Sequence, residues 1–191
     1  MADITFFRTV EPVDEPVTLQ EARDQCRLDD EVEDGLISEY IAAARDYAER
    51  VTGLPLMPQT YVMRADCFSC EMPLKPNLIE VESVKYIDAN GDQQTVSPYD
   101  YVVETNSVIG SIYPDYGQQW PTTRHQKKAV EVTFKCGFAS RAKVPDTIKS
   151  AMKLLINHWH ENRSAVIIGT ISSTTPLGVD QLLGVNKLWR V

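Results

Sequence analysis

The sequence predicts an α+β protein in which a helical core carries a small inserted antiparallel β lobe and an extended C-terminal tail. Two stretches, residues 31–52 and 145–163, repeat apolar side chains with a period of 3.6 residues. Residues 55–143 lie between them, show no helical period, and contain short alternating segments punctuated by prolines. Because helices bound this lobe on both sides, we expect an insertion rather than a separate tandem domain.

Residues 1–17 are extended in character and contain Pro12 and Pro16. They are predicted to form an N-terminal arm or an edge strand. Thr18 followed by Glu21 is a capping-box pattern, in which the two side chains satisfy each other's backbone N–H groups. This pattern predicts a short helix from residue 18 to about residue 27.

The next helix is predicted over residues 31–52, with Asp29 or Asp30 as its cap. Gly53 is its expected stop, because glycine accepts the left-handed conformation that ends many helices. Its predicted buried face consists of Val32, Leu36, Tyr40, Ala44, Tyr47 and Val51, widened by Ile37, Ile41 and Ala48.

The β lobe is expected over residues 55–143. Asn90-Gly91 is a strong hairpin signal, since both residues accept positive φ angles. Residues 129–135 alternate cleanly, which places Val130, Val132 and Phe134 on one face. The predicted strands are residues 61–65, 81–88, 93–96, 99–104, 111–113 and 129–135.

The last helix is the strongest in the sequence and is predicted over residues 145–163. Pro145 suits a first helical turn, because its missing N–H would have no partner there. The predicted apolar face is Ile148, Met152, Leu155 and Trp159, and the polar face is Lys149, Lys153, Asn157 and His160.

The tail, residues 164–191, divides into a polar part and an apolar part. Residues 164–176 are expected to be flexible, because Gly, Ser and Thr dominate the stretch before Pro176. Residues 177–191 are apolar again, and either fold back on their own domain or dock on a partner. We predict ordering only on a partner, with the anchors Leu177, Val179, Leu182, Leu183, Leu188 and Trp189.

Charge is distributed unevenly over this chain of 191 residues, whose net charge is −8. Residues 1–53 hold 14 acidic side chains against 5 arginines, whereas residues 124–153 hold 8 basic against 2 acidic ones. These opposite faces predict pairing between copies in an oligomer, although solubility alone is the simpler interpretation. The candidate interface cations are Arg124, Lys127, Lys128, Lys149 and Lys153.

No catalytic motif is present: the sequence lacks GxSxG, a P-loop, a dinucleotide fingerprint and HExxH. Cys67 and Cys70 have the spacing of half a zinc site, but no second pair at ligand spacing completes it. We therefore expect no enzyme, no metal and no cofactor. No apolar run approaches the roughly 20 residues that span a bilayer, and no signal peptide is visible, which favours folding in a reducing cytoplasm.

Taken in order, several segments resemble the head–tail connector (adaptor, head-completion) proteins of tailed phages and gene transfer agents. Each motif is weak alone, and their order and spacing make the resemblance specific. It covers nearly the whole chain from Val17, but includes neither residues 1–16 nor Cys67 and Cys70. The segments are residues 17–22, 36–53, 72–74, 81–91, 98–103, 119–121, 130–134, 137–138, 144–163 and 176–183.

This resemblance implies a structural virion protein of the neck, made in the host cytoplasm. It implies a ring, usually of twelve copies, that binds the portal through its C-terminal tail and meets a stopper or tail-completion protein. Double-stranded DNA would pass through the lumen without sequence-specific binding, and no membrane is involved. The corresponding division is an arm (1–17), a connector domain (18–163) and a tail (164–191). The alternatives are another neck or tail-completion protein, or a non-catalytic DNA-packaging accessory factor.

Overall fold

A computed structural model of the chain describes residues 4–29, 31–162 and 177–188. Its helices and antiparallel sheets confirm the predicted α+β class. In chain order the elements are β1 (Thr5–Val10), α1 (Leu19–Cys26), α2 (Asp34–Thr52), β2 (Gln59–Ala65), β3 (Met72–Pro76), β4 (Leu78–Ile87), β5 (Gln93–Thr95), β6 (Tyr101–Glu104), β7 (Ile109–Pro114), β8 (Val130–Cys136), α3 (Asp146–Glu161) and α4 (Leu177–Gly184).

The chain forms two compact units. The β unit comprises Met1–Val13 and Pro58–Ala139, and the helical unit comprises Asp14–Met57 and Ser140–Val191. Residues 5–10, expected as an arm or an edge strand, form the edge strand β1 and so belong to the β unit. None of the described helices is long and apolar enough to cross a membrane.

Two antiparallel sheets enclose the core of the β unit, in the strand orders β1-β2-β8-β4-β5 and β3-β7-β6. As predicted, Val130, Val132 and Phe134 share one face of β8, and all three are fully buried. The rings of Phe6 and Tyr61 lie 6.3 and 6.1 Å from the ring of Phe134. The centre of this unit is therefore aromatic and apolar.

The strand β3 was not predicted, and neither was the division of the strands into two sheets, although the pair β6 and β7 corresponds to the predicted strands 99–104 and 111–113. The segment of β3 contains Pro73 and Pro76, which argue against a central strand because proline donates no ladder hydrogen bond. In the structure β3 lies at a sheet edge, where the missing donors cost little. The side chain of Leu78 occupies the place that a β-carbon at Gly110 would need, so only glycine allows this approach.

The hairpin predicted at Asn90-Gly91 joins β4 to β5. Gly91 has a φ of 99°, in the left-handed region. Oδ1 of Asp88 accepts the N–H groups of Asn90, Gly91 and Asp92 at 2.9–3.0 Å. These bonds, led by that from Asp92, lower the pKa of Asp88. The turn is thus held by one carboxylate.

In the helical unit, α1 begins as predicted. Thr18 accepts the N–H of Glu21 at 3.1 Å, and the carboxylate of Glu21 accepts the N–H of Thr18 at 2.7 Å. For α2 the predicted cap was wrong, and so was the place of Val32 on the buried face. The helix begins at Asp34 with Glu33 as its cap, and Val32 is 85% exposed. The rest of the predicted face is buried or half-buried, and its fully buried members are Ile37, Ile41, Ala44 and Ala48.

Among the described residues of this unit, the side chain of Arg45 is charged and buried. Arg45 is 4% exposed, and its guanidinium faces three carboxylates: Glu15 at 2.9 Å, Asp46 at 3.0 Å and Glu49 at 3.5 Å. Burial raises the pKa of Glu15, and the opposing effect of Arg45 is smaller. Arg45 therefore ties residue 15 to α2.

The helix α3 packs against α1, α2 and α4. It buries Ile148, Met152 and Leu155 as predicted, and Trp159 is half-buried beside the ring of Tyr40 at 6.1 Å. His160, assigned to the polar face, is only partly exposed because its Nε2 lies 2.8 Å from Oε2 of Glu33. The helix α3 thus forms the centre of the helical unit.

Candidate interaction surfaces

A groove of about 680 Å³ opens on the β unit, between residues 66–68 and 120–127. Its floor is a stacked pair: the rings of Phe68 and Trp120 are nearly parallel, with centroids 4.6 Å apart. Tyr86 supports Phe68 at 5.9 Å, and Tyr101 supports Trp120 at 6.2 Å. We call this site the Trp120 groove. Such a preformed aromatic floor is typical of surfaces that bind apolar anchors.

The rim of the Trp120 groove is basic. Arg124, His125 and Lys127 are exposed along it. The backbone holds them in place, since Arg124 donates its N–H to the carbonyl of Ile87 at 3.0 Å. The N–H of Lys128 binds Oδ1 of Asp66, the single carboxylate of the lining, at 2.8 Å. The groove therefore combines an apolar floor with net positive charge.

The segment that joins α1 to α2 is strongly acidic, and we call its described residues, 28–29 and 31–33, the acidic loop. Glu31 is exposed over 86% of its side chain, and Asp29 is also exposed. Val32, 85% exposed, lies next to Glu31 in the chain. The C-terminal end of the loop is anchored by two contacts, that of Glu33 with His160 and the ion pair of Asp34 with Arg23.

The predicted interface cations fall into two groups. Arg124, Lys127 and Lys128 lie in the β unit, at or beside the Trp120 groove. Lys149 and Lys153 lie on α3 in the helical unit, and Lys149 pairs with Asp146 at 2.7 Å. The five predicted cations therefore belong to two different units.

The expectation that residues 177–191 order only on a partner is wrong for residues 177–188. These residues form α4 and a following turn, and α4 packs on α2 and α3. Val179 and Leu183 are fully buried, while Leu182 and Leu188 are half-buried. The side chain of Leu177, the residue Trp189 and the expected flexible arm at 164–176 lie outside the described residues.

Polar contacts also hold the tail on its own unit. The N–H of Leu188 donates to the carbonyl of Thr52 at 2.9 Å, in the last turn of α2, where carbonyls lack helical partners. The side chain of Asn186 donates to Thr147 at 2.7 Å, and Tyr47 donates to Asp180 at 3.2 Å. The segment was predicted correctly as apolar, but its own helices cover it.

Cys67 and Cys70 are both exposed free thiols, and Cys67 lines the Trp120 groove. Among the described residues, no three His, Cys, Asp or Glu side chains are grouped as a metal ion requires. The sequence pattern did not identify the groove itself. Phe68 and Trp120 are distant in the chain and share no motif, so only the fold brings them together.

Comparison with known proteins gives one family. Residues 16–110 match the model of the phage gp6-like head–tail connector proteins. No curated protein sequence matches the chain.

Solved structures of gene transfer agent (GTA) particles contain chains of similar fold. A chain in the neck of an empty GTA particle, computed with C6 symmetry, has a TM-score of 0.78 at 21% identity, over 98% of this chain and 97% of that one. A chain in the virion of a native GTA particle has a TM-score of 0.76 at 22% identity, and the match covers 97% of this chain and 96% of that one. A chain in the neck of a native GTA particle, computed with C12 symmetry, has a TM-score of 0.72 at 20% identity, and the match covers 96% of this chain and 97% of that one.

Proposed function

We propose that this chain is a structural protein of the joint between head and tail and acts there as a ring, because residues 16–110 match the phage gp6-like head–tail connector family. The family match carries this conclusion. The fold shared with chains of GTA necks, solved with sixfold and twelvefold symmetry, supports a ring of twelve copies. A closed ring also fits a subunit with separate basic and acidic surfaces, since head-to-tail contacts need two different patches.

We propose that the ring joins the portal at the head vertex to a stopper or tail-completion protein. The C-terminal segment supplies the portal contact. In this proposal Val179 and Leu183 hold α4 on its own subunit, because both are fully buried. The proposed portal anchors are then Leu182 and Leu188, both half-buried, together with the residues Leu177 and Trp189.

Double-stranded DNA passes through the lumen of the proposed ring without sequence-specific binding. The net charge of −8 supports this, because tight DNA binding is built from many Lys and Arg contacts to phosphates. An acidic subunit repels the DNA backbone and lets it slide. We propose no catalytic step, in keeping with a family of structural connectors.

Deletion of the gene in the producing strain tests this function. We expect particles to accumulate as DNA-filled heads without tails, and a plasmid copy of the gene to restore tailed particles. Electron microscopy and DNA quantification of purified particles measure both. Normal yields of tailed particles from the deletion strain would overturn the proposal.

A further inference from the structure

In a closed ring, one patch of each subunit contacts a different patch of the next. Resting on the ring proposed above, we propose that the acidic loop of one copy seats in the Trp120 groove of its neighbour. Val32 is the apolar anchor, and Asp29 and Glu31 face the basic rim. In this proposal the Trp120 groove binds a second copy of this chain.

The first support is charge complementarity. Arg124, Lys127 and His125 are exposed on the rim, while the single carboxylate of the lining, Asp66, already accepts the N–H of Lys128. Asp29 and Glu31 are exposed on the loop. Single exposed ion pairs are weak, so such contacts matter only when they recur around the ring.

The second support is apolar. Val32 is 85% exposed, although an apolar side chain gains by leaving water. The stacked rings of Phe68 and Trp120 offer an apolar floor of matching character. The fully exposed Tyr116 is a less suitable site, because Asp115 beside it would repel an acidic loop.

The third support is the anchoring of the loop next to its exposed acid. The C-terminal end of the loop is held on the helical unit, because Glu33 contacts His160 and Asp34 pairs with Arg23. Glu31 keeps 86% of its side chain in solvent even though Arg23 lies 3.8 Å away. The carboxylate of Glu31 is therefore open to a neighbouring copy, close to an anchored part of the chain.

The native Cys67 makes a direct test possible, because its exposed thiol lines the groove. Val32→Cys is introduced with Cys26→Ser and Cys70→Ser, and the purified particles are oxidised with copper–phenanthroline. We expect a ladder of disulfide-linked dimers, trimers and larger species on a non-reducing gel, since a disulfide needs Cα atoms within about 7 Å. In the matched control, Glu39→Cys replaces Val32→Cys at another exposed position and should give no ladder. The Val32→Cys variant that also carries Cys67→Ser should give no ladder either.

Charge reversal supplies a second, independent readout. Lys127→Glu should lower the yield of tailed particles about tenfold, because like charges now oppose each other at every interface, and Glu31→Lys in the same chain should restore it. Lys143→Glu is the matched control, exposed on the helical unit, and should leave the yield unchanged.

Two results would overturn this interface: tailed particles that contain the cysteine variant and give no ladder, or a Lys127→Glu defect that Glu31→Lys does not relieve. Either result would refute this contact between copies and would leave the proposed ring unaffected. Tailed particles that form without the protein would instead refute the proposed function.

Discussion

The helical unit and the β unit hold their interiors together by different means. The helical unit buries a cation among carboxylates, with Arg45 facing Glu15, Asp46 and Glu49. The β unit buries aromatic and aliphatic side chains around Phe134. A buried ion pair is destabilised when one partner is removed, because the other charge is left unpaired. An apolar core is destabilised when the volume of a side chain changes, because its atoms are closely packed. The two units should therefore respond differently to substitution.

The surfaces of the two units also differ in charge and in apolar content. The described acidic loop of the helical unit exposes one valine among carboxylates, and the β unit exposes an aromatic groove with a basic rim. Each surface carries what the other lacks. The proposed contact between copies depends on this difference.

The largest expected effect lies in the β unit. Phe134→Ala removes a fully buried ring that contacts Phe6 and Tyr61, and should cost about 3–5 kcal/mol of unfolding free energy. Urea unfolding followed by circular dichroism measures it. Tyr116→Ala, at a fully exposed ring, is the control and should stay within about 0.5 kcal/mol of the wild type. An equal loss in both variants would contradict an aromatic core.

In the helical unit, Arg45→Met should cost about 3 kcal/mol, because it leaves the carboxylates around it without their cation. The value stays at the lower end because Glu15 and Asp46 are partly exposed and can be hydrated. Arg50→Met, at an exposed site of the same helix, is the control. If both arginines prove equally dispensable in urea unfolding, the ion cluster does not stabilise the unit.

The tail should contribute to the same unit. Leu183→Ala should lower stability by about 2 kcal/mol, since a fully buried side chain leaves a cavity at a peripheral helix that can partly collapse. Val185→Ala, 79% exposed, is the matched control. Removal of residues 177–191 should likewise lower the melting temperature, and an unchanged value in differential scanning calorimetry would mean that α4 is not part of this fold.

The smallest effect tests the capping box. The N–H of Thr18 lowers the pKa of Glu21, helped by the hydroxyl of Thr18 and the charges of Lys153 and Arg141. This stabilisation exists above about pH 4.5, the ordinary value of glutamate, and is lost as pH falls through the lowered pKa.

Glu21→Gln should therefore cost about 0.5 kcal/mol at pH 7, and the difference from the wild type should shrink below pH 4.5. Chemical denaturation across pH measures this difference, with Glu39→Gln as an exposed control. A difference that stays constant with pH would show that the charge of Glu21 is not involved.

Local signals predicted the elements well and long-range packing poorly. The capping box at Thr18, the stop at Gly53 and the alternation from Val130 to Phe134 each depend on neighbours in sequence, and the structure has all three. Val32 was wrongly assigned to the buried face of α2, because it fits the apolar period but precedes the helix.

Features that depend on distant partners were missed. Apolar periodicity identified Leu183 as a residue to be buried, but could not say whether a partner or its own helices cover it. Pro73 and Pro76 concealed an edge strand. The stack of Phe68 on Trp120 joins segments far apart in the chain, and no spacing rule identifies such a pair.

The central claim is that this chain forms a ring at the joint between head and tail. Cryo-electron microscopy of purified tailed particles, with the neck reconstructed without imposed symmetry, tests it most directly. The account predicts a closed ring of twelve copies of this fold directly below the portal. A neck that lacks this fold, or holds it as a single copy, would contradict the account.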